Sequence, residues 1–151
     1  MDYSITALVA KAPASQTEAR KYDLPLFFHN DFVIVALNFV HADYWAEKLG
    51  LIDKSKKPII LDCRVTHFFA KALGFKTYAI VDVDVFLGQK QHHAAVYEEG
   101  REIMPTLANG INLALKLLGV ECRDGKDEFH SIELGEYTSF DELFEKYWNK
   151  L

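Results

Sequence analysis

A cysteine and a pair of histidines are the side chains in this sequence best suited to covalent chemistry. Cys63 stands in the run Ile59-Ile60-Leu61-Asp62-Cys63-Arg64-Val65-Thr66-His67. Asp62 is a good N-cap type and Gly74 a good stop, so the stretch to Leu73 reads as a helix with Cys63 at its first position. Backbone N–H groups and the positive end of the helix dipole favour thiolate over thiol there. Further along, Gln91-His92-His93-Ala94-Ala95-Val96-Tyr97 reads as a strand bearing histidine. A helix-start cysteine and a strand histidine are the parts of a thiol nucleophile and its base. Adjacent residues of a strand point to opposite faces, so only one of His92 and His93 can serve.

Each of these residues also has a plainer reading. A lone cysteine is among the most buried residue types and is often inert packing. Asp82 and Asp84 alternate with Val81, Val83 and Val85, as the polar face of a half-buried strand does. His67 follows Cys63 by one helical turn. With His92 or His93 and Asp84 it would complete a tetrahedral metal set, a reading weaker than the nucleophilic one. Cys122, in a polar turn-like stretch, reads as incidental. His41, beside Asp43, Tyr44 and Trp45, reads as helix surface. No Gly-rich phosphate loop or nucleophile elbow is present, so no cofactor is expected.

The elements that must position these groups follow from pattern. Phe32 to Leu49 shows apolar residues at helical spacing (Phe32, Val35, Phe39, Ala42, Ala46) and reads as one helix started by Asn30 or Asp31. A short helix to Lys21 precedes it, capped by Ser15 or Thr17. Phe75 to Leu87 is β-branched, aromatic and alternating, hence a strand. Gly88 to Gln91 reads as a turn, His92 to Glu98 as a strand, Glu99-Gly100 as a hairpin turn and Arg101 to Met104 as a third strand. A helix from Leu107 to Leu118, a strand from Phe129 to Leu134 and a C-terminal helix opened by a Ser139/Glu142 capping box follow. The expected fold class is α+β: N-terminal helices, then a Cys-bearing helix packed on a small antiparallel sheet with flanking helices.

The order of these motifs resembles the transglutaminase-like branch of the papain-like cysteine fold. Cys63 matches that family's nucleophile, Ala72-Leu73-Gly74-Phe75 its helix end, His93-Ala94-Ala95-Val96-Tyr97 its histidine strand and Gly100-Arg101 its hairpin. The resemblance covers Ile60 to Thr106, a catalytic-like core of about 59–106 inside a single domain of 1–151. It implies a cysteine-dependent amide hydrolase or acyltransferase: Cys63 attacks, His93 serves as base and then acid, and the Cys63 backbone N–H helps hold the oxyanion. Gln91 is a further oxyanion donor candidate. The pattern departs at Met104-Pro105-Thr106, where the family has Asp-Pro-Thr. The group that orients the histidine is then missing, and Asn109, Asp82, Asp84 and Glu98 are the candidates for it. The same departure suits a catalytically inactive scaffold that works by binding another protein.

Composition narrows the setting. The chain has 151 residues, half of them apolar and 26% charged, with net charge −5. A basic footprint for nucleic acid is absent, and Lys54-Ser55-Lys56-Lys57 reads as a solvated loop. Two cysteines are too few for a secreted disulfide scaffold. The first residues lack a basic start and a long apolar core, and no run approaches the ~18 apolar residues of a membrane span. The expectation is a cytoplasmic protein without membrane or nucleic-acid partners, acting on or binding a protein or peptide.

Overall fold

A computed structural model describes residues 3–53, 57–122, 125–131, 137 and 139–148. Its centre is a six-stranded antiparallel sheet of order β2-β3-β1-β4-β5-β6. The strands are β1 (Tyr3–Lys11), β2 (Leu26–His29), β3 (Phe32–Leu37), β4 (Thr77–Phe86), β5 (Gln89–Glu98) and β6 (Arg101–Ala108). The helices are α1 (Gln16–Lys21), α2 (Phe39–Leu49), α3 (Arg64–Ala72), α4 (Ile111–Leu117), α5 (Glu128–Ser131) and α6 (Glu145–Trp148). The fold is thus α+β. Among the described residues no helix is long and apolar enough to cross a membrane.

Strand alternation divides the core in two. Leu8, Val35, Ile80 and Ala95 face one side of the sheet and pack under Val65, Phe69 and Leu73 of the α3 segment. Val9, Ile34, Val81 and Val96 face the other side, under Ile111 and Leu115 of α4 and Phe144 near the C-terminus. Both hairpins of the β4-β5-β6 meander turn on residue pairs with positive φ, Leu87-Gly88 and Glu99-Gly100, the signature of type I′ turns that suit the strand twist.

Several elements differ from expectation. The N-terminal part holds three strands and one short helix instead of a run of helices. The helical spacing over Phe32 to Leu49 spans two elements. β3 is flanked by β1 and β2 and all six of its residues are buried, so it shows no period-two alternation. Asn38, not Asn30 or Asp31, starts the helix, its side chain accepting the Val40 and His41 N–H groups at 2.9 and 3.1 Å. Gln91 belongs to β5, β6 runs on to Ala108, and α4 begins at Ile111. Residues 128–131 are helix where a strand was expected, and 132–134 lie outside the described residues. Ser139 accepts the Asp141 N–H at 3.2 Å and a 3-10 turn, Asp141–Phe144, leads into α6, so the expected Ser139/Glu142 box is not the cap. His41 is fully buried, ringed by Phe69, Phe144 and Tyr147, not on a helix surface.

Candidate active site

Cys63 is the N-cap residue of α3, one position before the place the sequence suggested. Its backbone is extended, and its side chain makes no capping bond. The sulfur lies 3.6 Å from Thr66 Oγ1, on the first turn. The Arg64 N–H is taken by Asp53 Oδ2 at 3.2 Å. Half-buried, Cys63 lines a groove bordered by α2 and the 59–65 segment, together with Phe39, Asp43, Glu47 and Ile60.

Asp62 does not cap α3. It turns onto the sheet, where its carboxylate, 2% exposed, accepts hydrogen bonds from His67 Nε2 at 2.8 Å and from the Tyr97 hydroxyl. Tyr78 and Tyr97 are directly paired across β4 and β5, so both rings rise from the α3 face. The Tyr78 hydroxyl sits 2.5 Å from His67 Nδ1. An ionised Asp62 only accepts, so Nε2 donates to it, and the Tyr78 hydroxyl meets the ring's other nitrogen. Lys57 Nζ completes the group, 3.2 Å from Tyr97 Oη and 3.9 Å from Asp62. Burial pushes the Asp62 carboxyl up, but the His67 and Tyr97 hydrogen bonds and nearby cationic charge outweigh it and hold its pKa below the ordinary value. Burial and the Asp62 charge push Tyr78 up to about 12. Both nitrogens of His67 are therefore engaged, leaving neither for Cys63 or for a metal. Among the described residues no group of three or more His, Cys, Asp or Glu is arranged to hold one.

The two strand histidines part as alternation requires. His93 is paired with Asp82 on β4 and with Ala108 on β6, on the α3 face. Asp82 is held from its other side by Thr6, whose hydroxyl donates to Oδ1 at 3.0 Å. Burial pushes Asp82 up; the Thr6 bond and the positive charge His93 can carry oppose this, Asp84 adds to it, and the net shift is upward. His92 faces the α4 side, opposite Val83, with Nδ1 buried and without a hydrogen-bond partner among the described residues. Burial, then Lys90 and His93, lower its pKa. Gln91 and Asp84 form an exposed cross-strand pair on the α3 face. Asn109 lies exposed at the end of β6 with φ 59°, its N–H donating to the His92 carbonyl at 2.7 Å. Glu98, at the far end of β5, accepts from Thr77 at 3.4 Å.

Met104 does not stand opposite His93. It pairs with Val96 and is buried on the α4 side, because β6 carries register shifts between Ala94 and Tyr97. Its backbone position therefore aims away from the face that holds His93. The residue facing His93 from a carboxylate-bearing position is Asp82, on the preceding strand.

His93 and Asp82 thus share the sheet face on which α3 packs; Asp82 lines a groove with Thr6 and Asp84, while Cys63 lines the groove beside α2. No hydrogen bond joins Cys63 to His93 among the described residues. Cys122 is exposed and donates its thiol proton to Glu128, which raises its pKa. The Asp62 cluster was not anticipated. Its signal was present, since Asp62 and His67 are five apart across a helix start and Tyr78 shares the face of Ile80 by alternation. No family model, curated protein or solved structure matches the chain.

Proposed function

We propose that this chain is a cysteine-dependent amide hydrolase or acyltransferase, with Cys63 as nucleophile, His93 as general base and Asp82 as the group that orients His93. The observation that carries this reading is the cross-strand pairing of His93 with Asp82 on the face covered by α3. It supplies the carboxylate that Met104 cannot. His93 takes the Cys63 proton, the thiolate attacks the amide carbonyl, and the same imidazole returns the proton to the departing amine. The oxyanion falls to the Cys63 backbone N–H at the helix start. Catalytic hydrogen bonds are commonly long in unliganded sites and tighten with substrate, which suits a Cys63 that rests on Thr66.

That resting contact favours a second reading, a scaffold of the same shape without turnover. One measurement separates the two: the pH dependence of iodoacetamide alkylation at Cys63 in wild type, His93→Ala and Asp82→Asn. Labelling that is fast below about pH 7 and slows in both variants supports the acyl-transfer reading. Labelling that rises only near about pH 8.5, alike in all three proteins, overturns it.

A further inference from the structure

Three large apolar side chains stand exposed together at the groove beside Cys63: Phe39 is 54% accessible, Ile52 61% and Ile60 73%. Phe39 and Ile60 also wall a second groove, which runs past Thr6, Asp82 and Asp84. The pair therefore forms an apolar ridge with a trough on either side. Water-exposed apolar clusters with a polar rim mark places where another molecule sits.

Charge decides what kind of molecule. The acidic side chains lining the troughs, among the described residues, are Asp43, Glu47, Asp53, Asp82, Asp84 and Asp141, with no lysine, arginine or histidine. The whole chain carries a net charge of −5, so the local sign matches the long-range field. Asp43 and Glu47 are four residues apart on α2, about 6 Å along the helix axis. Alternate side chains of an extended peptide are about 6.7 Å apart. A Lys-x-Lys segment in strand form thus matches the two carboxylates.

We infer that the acidic trough beside the Phe39/Ile60 ridge docks an extended segment of a partner protein in which lysine or arginine alternates with apolar residues. Lying in the trough between α2 and the 59–65 segment, such a segment turns its cations to Asp43 and Glu47 on one wall and its apolar side chains to Ile60 on the other. The inference goes beyond acyl transfer, since docking does not require Cys63 to react.

The test is fluorescence anisotropy with a labelled peptide of alternating lysine and leucine, beside glutamate–leucine and lysine–serine peptides of equal length. Saturable binding of the lysine–leucine peptide alone is expected. Neutralising Asp43→Asn and Glu47→Gln together should weaken it roughly fivefold, as two exposed ion pairs of about 0.5 kcal/mol each allow. Ile60→Ser with Phe39→Ser, both at exposed positions, should weaken it at least as much while circular dichroism stays unchanged. Absence of saturable binding overturns the proposal, as does equal affinity for the glutamate–leucine peptide or an unchanged affinity in the neutralised variant. Self-association lost in Ile60→Ser, without peptide binding, would assign the ridge to a second copy and overturn it also.

Discussion

Replacing Asp62 by alanine should cost more stability than any other single change at the start of α3. The carboxylate is buried and accepts from His67 and Tyr97. A hydrogen bond to a charged group contributes about 1.5–3 kcal/mol net. The His67 half is worth the lower figure, because its side chain is 25% exposed and water can replace the lost acceptor. The Tyr97 half is worth the upper figure, because Tyr97 is 3% exposed and its hydroxyl is left without an acceptor. The sum, less the desolvation that Asp62 no longer bears, is about 3–4 kcal/mol, near the ~3–5 kcal/mol expected when one partner of a buried charged pair is removed. With a urea m-value of about 1–3 kcal/mol/M, the unfolding midpoint falls by roughly 1–4 M at constant m. Because folding holds the Asp62 pKa below its unfolded value of about 3.9, this stabilisation is complete above that pH. It is lost progressively as pH falls from there through the folded pKa, so the gap between wild type and variant should narrow steadily below about pH 4. Urea titrations from pH 3 to 7 read both effects. A loss under about 1 kcal/mol at pH 7, or a gap at pH 3 no smaller than at pH 7, refutes the reasoning.

Three other changes test other parts of the structure. Met104→Asp buries an unpaired carboxylate among Val96 and the α4 side chains; it should cost about 3 kcal/mol or more in urea unfolding and leave Cys63 alkylation no faster, whereas acceleration would show that position 104 reaches His93. His41 is buried, and burial lowers its pKa against the opposing pull of the Tyr22 carbonyl, so the unfolded chain binds the proton better and stability falls as pH drops below about 6.5. His41→Phe should flatten that slope, as thermal unfolding between pH 5 and 7 would reveal. Gly110→Ala places a Cβ 2.9 Å from both Leu107 Cβ and its carbonyl oxygen and should cost about 1–3 kcal/mol, read as a lower melting temperature.

The parts of this fold legible in the sequence are those whose one face is wet. β4 and β5 were recognisable because their outer halves carry Asp84, Gln91 and His93 in alternation with valine and alanine. β3, buried on both faces, shows no alternation, and Phe32 to Leu37 joined the true α2 pattern by coincidence of spacing; β1 alternates only as far as Ala7. Asn38, the first polar residue after Phe32, is the break that a cap reading would have used. Cys63 was placed within one residue of its position because helix ends are marked locally. The partner of His93 was not fixed by spacing, since β6 shifts register between Ala94 and Tyr97, and a bulge leaves no mark in a one-dimensional pattern. Asp62 looked like a cap because cap propensity ignores what the sheet offers from 35 residues away.

The strand order has a consequence for how the chain comes into being. β1 leaves the ribosome before the other five strands of this sheet, yet it ends between β3 and β4. The β1–β3 pairing closes over a short interval, while Thr6 waits for Asp82, 76 residues later. Loop closure over that span and the late arrival of β4 make the β1–β4 seam the slow step of assembly. Until then the edge of β1 presents Leu8 and Val9 with open backbone groups, the template on which stray strands pair. The half-made protein is therefore the form most in need of a holding chaperone, and truncations that end before β4 should be recovered as aggregates.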